Sequence, residues 1–116
     1  MFLKLNHQKL DIYGTSGQFV FECYKLTMKL PVEEKFRMIT QIRRSALSVH
    51  LNIAEGASRK SETERKRCYE ISGGSVIEID AAPDISDDLG YLRGVETENL
   101  GKSTINCFKM LTGMIH

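Results

Sequence analysis

Residues 36–57, FRMITQIRRSALSVHLNIAEGA, carry the clearest periodic pattern in this 116-residue chain. At 100° per residue the apolar side chains fall within an arc of about 80°, and polar ones occupy an arc of similar width opposite. This pattern predicts a helix that buries one stripe and exposes the other. The apolar stripe consists of Ile39, Ile42, Ala46, Val49, Ile53 and Ala57. The polar stripe consists of Arg37, Gln41, Arg44, Ser48, Asn52 and Glu55.

The same spacing of three and four residues runs through most of the chain, and a strand-like alternation is nowhere sustained. It predicts four helices, at about residues 10–29, 32–57, 61–89 and 95–115. Such short connections between long helices favour an all-α, up-down-up-down antiparallel four-helix bundle. A single domain then spans residues 1–116.

Local signals set the ends and faces of these helices. Ser61 and Glu64 have the spacing of a capping box that begins the third helix, and Gly90 is the expected residue after its end. Pro83 lacks an N–H donor and is expected to kink that helix. The side chains expected on one side of the first helix are Leu10, Tyr13, Gly17, Val20, Tyr24 and Thr27. The inward side chains expected on the last two helices are Cys68, Ile71, Ser72, Ser75, Val76, Ile79, Ala82, Thr104, Cys107, Phe108, Leu111, Met114 and Ile115.

Composition excludes several classes of protein. Hydrophobic residues make up 41% of the chain and charged residues 27%, as in an ordinary soluble domain. We expect a cytoplasmic protein, because no apolar run reaches the length of a membrane span and no leader opens the chain. Cys23, Cys68 and Cys107 are too widely spaced to form a chelating pair, and the three histidines lie in no metal-binding spacing. We therefore expect three buried thiols, no metal and no cofactor.

Charge is segregated along the chain although it sums to only +1. Residues 35–67 contain nine basic and three acidic residues, whereas residues 68–98 contain one basic and eight acidic ones. The basic residues form either a solvated face, complemented by acidic residues in an oligomer, or a patch that contacts phosphates. Because stacking aromatic residues are few, such a patch would bind backbone with weak sequence preference. The candidate patch consists of Arg43, Arg44, Arg59, Lys60, Arg65, Lys66 and Arg67.

The polar side chains along the middle of the second helix admit three interpretations. They could hydrogen-bond across a subunit contact or cap a neighbouring helix, line the hole of a ring as a ligand site, or act as an acid and a base. The first is favoured, because no nucleophile or metal-ligand set accompanies them. Glu78 on the third helix could pair with an arginine of the second helix, with His50 or with a neighbouring subunit. The side chains in question are Arg44, Ser48, Asn52 and Glu55.

A second apolar surface lies beside the buried stripe of the second helix and comprises Phe36, Leu47, Leu51 and Ala54. One stripe is enough for the core of a monomer, so this shoulder points to a further contact. Ile77 lies opposite the inward face of the third helix and would be exposed in a monomer. We expect Leu47, Leu51, Ile77 and the apolar residues 2–5 to form a contact between subunits.

Two segments, QIRRSA at residues 41–46 and NIAEG at residues 52–56, resemble the signature of the 23S rRNA intervening-sequence proteins, a family of four-helix bundles. Matching pieces frame them in order: YKLT at 24–27, GS at 74–75 with Glu78, and LGY at 89–91. The sequence departs from the pattern where VHL stands at 49–51 in place of Ile-Pro-Ser, and at Pro83. The motif residues carried over from the resemblance are Arg44, Ser48, Asn52, Glu55, Gly56 and Glu78.

The resemblance implies a bacterial protein that assembles into a ring-shaped homo-oligomer, with five subunits expected, and it brings no enzymatic activity. A related accessory protein of diversity-generating retroelements has the same bundle. The resemblance also implies RNA or a nucleoprotein as a partner. We expect no membrane and no small-molecule substrate. The expected function is that of a non-enzymatic, self-associating scaffold that contacts the phosphate backbone.

Two other functions remain open at this point. A protein-interaction module could use its oppositely charged regions to recruit a polymerase-like partner. A small nuclease could hold Mg²⁺ between Glu55, Glu62 and Glu64, since clustered carboxylates are suitable ligands for this ion. These three glutamates lie among arginines, however, and suit ion pairs equally well.

Overall fold

The computed structural model describes residues 11–116, which are all-α and contain no strand. The predicted fold class is thus confirmed for this part of the chain. The expectations for Leu10 and for residues 2–5 lie outside the described residues. The four helices are α1 (Asp11–Thr27), α2 (Met38–Ser58), α3 (Glu62–Asp88) and α4 (Glu98–Ile115), and a short 3₁₀ turn (Val32–Glu34) lies between α1 and α2.

Each helix packs against two others, in the order α1–α2, α2–α3, α3–α4 and α4–α1, and in residues 11–116 the backbones of the diagonal pairs do not approach within 8 Å between Cα atoms. Side-chain contacts show that α1 runs antiparallel to α2, and α2 antiparallel to α3. Ser16 meets His50 while Thr27 meets Arg43. Between α2 and α3, Val49 meets Ser72, and further contacts join Ser45 to Glu78 and Met38 to Ser86. As the residue number rises on one helix, it falls on its neighbour.

The core fills the space between the four helices. The predicted stripe of α2 is confirmed, because Ile42, Ala46, Val49 and Ile53 are buried and Ile39 packs against them. The side chains that meet this stripe from the other three helices are Ile12, Phe19, Cys23, Leu26, Tyr69, Val76, Ile79, Leu100, Cys107 and Leu111. None of the helices within residues 11–116 combines the length and the apolarity required to cross a bilayer.

The second helix begins later than predicted. Residues 32–37 form a 3₁₀ turn and a bend, and α2 starts only at Met38. Val32 and Phe36 are 81% and 86% exposed, so the apolar side chains that stabilise α2 by packing on the core begin only at Met38. Phe36 is therefore wrong as part of the α2 shoulder, because a helix without a face to bury is marginal in water.

Both predicted ends of α3 are confirmed. Ser61 is the N-cap, and its hydroxyl accepts from the Glu64 amide at 3.4 Å. Gly90, at φ +80°, follows the last turn, where its amide donates to Asp87 and the Tyr91 amide donates to Ser86. These two bonds define a Schellman motif. The α3 helix continues through Pro83 without a break.

The predicted face of α1 is wrong, and on each of α3 and α4 one side chain predicted to face inward is exposed. On α1 the core-facing stripe is rotated by one residue from the predicted one, of whose described members only Thr27 is buried. The buried side chains are Ile12, Ser16, Phe19, Glu22, Cys23, Leu26 and Thr27. Both stripes of this helix are apolar, and only the positions of α2 and α4 select between them. Ile71 and Phe108 are 46% and 42% exposed, because each lies beside the seam that its helix makes with a neighbour.

Gly56 marks the closest approach of α2 to α3. A Cβ built on this residue would lie 2.8 Å from Tyr69 Cε1 and 3.0 Å from Cys68 Cβ. The Tyr69 ring could swing away, but the Cys68 Cβ is fixed to the helix backbone. Gly56 thus allows the last turn of α2 to rest directly on the first turns of α3.

Gly56→Ala is expected to lower the free energy of unfolding by about 1–2 kcal/mol, because the added methyl group overpacks the α2–α3 contact. Gly101→Ala is the matched control, since apart from its own helix nothing lies within 4 Å of the added Cβ. Helix propensity should then raise the free energy of unfolding by about 0.5–1 kcal/mol. Denaturant unfolding at one protein concentration measures both changes. A stabilised Gly56→Ala variant would contradict the close approach.

Candidate functional site

A three-residue turn joins α2 to α3 and carries the start of the predicted basic patch. The Ser58 hydroxyl donates to the Glu55 carbonyl at 2.7 Å, which closes the last turn of α2. Arg59 then adopts an extended backbone with φ −77° and ψ 141°, and α3 begins directly after Ser61. Because Gly56 brings the two helices together, this turn remains tight and its side chains point outward.

Arg65 holds the turn by hydrogen bonds to its backbone. The Arg65 Nη1 donates to the carbonyl of Lys60 at 2.8 Å and to that of Arg59 at 3.1 Å. Carbonyls near a helix C-terminus lack partners within the helix, so a cation is well placed beside them. The sequence offered no signal for this role, which depends on the fold of the turn.

Two other cations of the patch have carboxylate partners within the chain. Arg59 pairs with Glu55 one turn earlier on α2, and this hydrogen bond raises the pKa of Arg59 above its usual value. Lys66 pairs with Glu62 across 3.4 Å on α3. All four side chains are about half exposed or more, so solvent screens both pairs and each contributes little to stability. An anionic ligand could therefore displace the carboxylates.

Arg43 does not belong to the patch. Its Nε donates to Thr27 Oγ1 at 2.9 Å, and its guanidinium carbon lies 4.8 Å from the centre of the Tyr24 ring. These contacts fasten α2 to the end of α1 and leave Arg43 half-buried. Arg44 is exposed on the outer face of α2. It is fifteen positions from Arg59, or about 22 Å along the helix axis, so it is remote from the turn.

The polar stripe of α2 forms contacts with α3 inside the chain. Asn52 Nδ2 donates to the Ser48 carbonyl at 2.9 Å and to Ser48 Oγ at 3.2 Å. The Ser75 hydroxyl of α3 reaches Ser48 Oγ at 3.2 Å, and the buried Ser72 hydroxyl donates to the Val49 carbonyl at 2.7 Å. Of the three interpretations, contact with a neighbouring helix describes Ser48, which meets Ser75 of α3 in the same chain, whereas Asn52 bonds back to Ser48 on its own helix.

Glu78 completes this polar seam. Its Oε2 accepts from Ser45 Oγ at 2.9 Å and from Gln41 Nε2 at 3.4 Å. Glu78 therefore pairs with a hydroxyl and an amide of α2. The sequence had left three possible partners for it: an arginine of that helix, His50 or another subunit. Ser45 is buried, and the carboxylate gives its hydroxyl an acceptor across the helix contact.

The three glutamates proposed for a nuclease do not form a metal site. In residues 11–116, no three His, Cys, Asp or Glu side chains are grouped so that they could hold a metal ion. Glu55 and Glu64 line a cleft of about 350 Å³ together with Arg59 and Arg67. Glu62 is absent from the lining of this cleft and pairs with Lys66 instead.

The expected subunit-contact residues are exposed but lie on two sides of the molecule. Leu47 and Leu51, 40% and 60% exposed, lie on the outer face of α2. Ile77, 59% exposed, lies on α3 where it faces α4, and it lines a groove with Ile105 and Phe108. The sequence missed this groove because Phe108 has the spacing of a core residue.

The three cysteines are buried and unpaired, as predicted. Burial raises the pKa of the Cys23 thiol to about 12 and that of the Cys107 thiol to about 11. Both thiols are therefore protonated at neutral pH and act as small apolar side chains. A further buried contact, between Ser16 Oγ and His50 Nδ1 at 2.6 Å, was missed because the residues are 34 positions apart.

The Glu78 contact can be measured by a double-mutant cycle with Ser45→Ala, Glu78→Ala and the combined variant. Since the two groups share a hydrogen bond at the α2–α3 seam, we expect a coupling energy of about 0.5–1.5 kcal/mol in denaturant unfolding. Glu70→Ala, on an exposed position of the same helix, paired with Ser45→Ala is the control and should couple by about 0.3 kcal/mol or less. Equal coupling in the two cycles would remove Glu78 from the seam.

The residues that carry the resemblance are brought together by these contacts. Arg43 contacts Tyr24 and Thr27 of α1. Gly56 leaves room for the first turns of α3, and Glu78 accepts hydrogen bonds from α2. The Tyr91 hydroxyl donates to Glu34 at 3.1 Å. A family model described as 23S rRNA-intervening sequence protein matches residues 8–113, which span all four helices. No curated protein matches the chain. The chain therefore belongs to the family of 23S rRNA-intervening sequence proteins.

Proposed function

We propose that this chain is a non-enzymatic, self-associating scaffold that binds the phosphate backbone of RNA, alone or within a nucleoprotein. The observation that carries the RNA-binding part is the α2–α3 turn, where residues 59–67 contain five basic and two acidic side chains. Arg59, Lys60, Lys66 and Arg67 are exposed there, and Arg65 stiffens the backbone that carries them.

The electrostatics of the turn support a phosphate ligand. Cations at the start of a helix oppose the positive end of its dipole, so an anion bound beside them relieves an unfavourable arrangement. The two carboxylate pairs of the turn are weak at the surface, and arginine binds phosphate through geometrically matched hydrogen bonds. A phosphate can therefore replace Glu55 at Arg59 and Glu62 at Lys66.

Base recognition is not part of this proposal. Tyr69 is the aromatic residue nearest to the basic cluster in sequence, and its ring is only 6% exposed because it packs on Gly56. Stacking on bases requires an exposed ring face. The turn can therefore attract the phosphate backbone of RNA, but it has no exposed ring on which a base could stack. This favours binding with weak sequence preference.

Self-association is supported by exposed aliphatic side chains of α2, α3 and α4. Leu47, Leu51, Ile77 and Ile105 are each at least 40% exposed in the single chain. A chain with net charge +1 has little bulk repulsion to keep copies apart. We propose a closed ring, with the five subunits expected from the resemblance.

Sedimentation equilibrium at micromolar concentration tests the assembly. We expect a single species with the mass of several chains, five for the proposed ring, because copies bury aliphatic surface that each would otherwise expose. The mass should persist at high salt, since apolar burial is not screened. A protein that remains monomeric throughout this range contradicts the self-association.

Binding of a labelled structured RNA across a salt series tests the phosphate contacts. If the four exposed cations of the turn meet phosphates, the logarithm of the affinity should fall with that of the salt concentration at a slope of about −2.8 to −3.6. Lys66→Ala/Arg67→Ala should flatten this slope by about 1.4–1.8, because two contacts are lost.

Lys29→Ala/Lys102→Ala is the matched control for this measurement. It removes the same charge from the opposite end of the bundle, and the slope should not change. If both double variants flatten the slope equally, the RNA responds to net charge and not to the turn. No binding of RNA at low salt would overturn the RNA-binding proposal and leave the assembly untouched.

A further inference from the structure

Two exposed apolar surfaces lie on different sides of the chain, one on the outer face of α2 and one in a groove between α3 and α4. The ridge is formed by Leu47 and Leu51, which are one turn apart on the outer face of α2. The groove runs between α3 and α4 and is lined by Ile77, Ile105 and Phe108. All five side chains are between 40% and 60% exposed, so neither surface is covered within the described chain.

The groove is long enough to receive more than one side chain. Two cavities of about 270 and 430 Å³ share Ile77 and Phe108 and so form one continuous depression. Its second half reaches Gly73 and Gly74 on α3 and Ile115 on α4. Gly74 has nothing within 4 Å of the place where a Cβ would stand, so the wall there is open.

We propose that the ridge of one copy seats in the groove of the next copy, as the contact that builds the assembly. This inference rests on the self-association proposed above and names the surfaces that carry it. The occupant of the groove is therefore a second copy of this chain, bound through the outer face of its α2.

The spacing of side chains on the two surfaces matches. With Leu47 set against Ile77 and the two helices antiparallel, Leu51 falls four residues further, beside Gly73 and Gly74. A leucine on one helix then fills the space that the glycines leave open on the other. This is the knobs-into-holes packing of coiled coils. The step from Leu47 to Leu51 and the step from Ile77 to Gly73 are each about 6 Å along their helix axes.

In the same alignment, oppositely charged side chains of the two copies also lie opposite each other. Arg44 stands three residues before Leu47 on the exposed face of α2, and Asp80 stands three residues after Ile77 on the lip of the groove. The antiparallel arrangement brings these opposite charges together. Lys109, on the α4 lip, is on the other side of the groove from Asp80 and leaves the α3 lip acidic. Complementary rim charges fix register and orientation more than they add affinity.

The contact is heterologous, because ridge and groove are different surfaces. Each copy then offers one unused ridge and one unused groove, and such head-to-tail contacts generate a ring when the rotation closes. A ridge-to-ridge pair would instead stop at two copies and leave Ile77, Ile105 and Phe108 exposed.

Two variants separate the surfaces in sedimentation experiments. Leu51→Glu places a charge on the ridge, and Ile77→Glu places one in the groove. Each should raise the concentration needed for half-assembly by about 30-fold or more, as expected for central interface residues. Met28→Glu is the matched control, because Met28 is 68% exposed on neither surface, and its assembly should equal that of the unaltered chain.

Mixing the two variants is the decisive step. Leu51→Glu retains its groove and Ile77→Glu retains its ridge, so an equimolar mixture should form a 1:1 heterodimer that cannot grow further. Gly74→Leu provides a third variant, since it improves helix propensity while it fills the hole, and it should weaken assembly without loss of stability.

The outcomes distinguish this inference from the proposed function. A monomeric unaltered chain would remove the self-association and the ridge–groove contact together. An assembled chain whose mass survives both glutamate variants would retain self-association and overturn these surfaces. If Ile77→Glu alone still forms a dimer, the ridge pairs with itself and the heterologous contact is wrong.

Discussion

The close approach of α2 and α3 at Gly56 is the constraint on which the rest of the molecule depends. With no Cβ on this residue, the Tyr69 ring and the Cys68 Cβ can rest on the last turn of α2. The helices then stay close along their length, which lets Ser72 reach the Val49 carbonyl and lets Glu78 reach Ser45. The same contact shortens the connection to three residues and so fixes the turn that carries the basic side chains.

The motif residues of this chain act mainly on packing. Arg43 holds α1 through Thr27 and Tyr24, and Glu78 holds α2 through neutral hydrogen-bond donors. Arg43, which the sequence alone places in a phosphate-contacting patch, here forms a helix contact instead. What remains for a partner is a surface: exposed cations at one turn, and apolar side chains on the outer faces of the four helices.

In the proposed function, the basic turn binds RNA, and the ridge and groove join the subunits. The basic turn lies at one end of the bundle, whereas the apolar ridge and groove lie along its sides. An assembly built through the sides repeats the turn once per subunit at the same end. In the proposed RNA complex, weak phosphate contacts repeated in this way would gain affinity from multivalency without any single strong site.

The sequence by itself determined the helical class, the buried stripe of α2, both ends of α3 and the burial of the three thiols, because local spacing and caps express these directly. It did not determine which of two apolar stripes of α1 faces the core, or that Phe108 lines an open groove. Nor did it separate Arg43 from Arg44, which are neighbours in sequence and point in different directions. Only the tertiary structure decided these points, because each depends on which helix stands beside the residue, and no local pattern encodes the position of a neighbour.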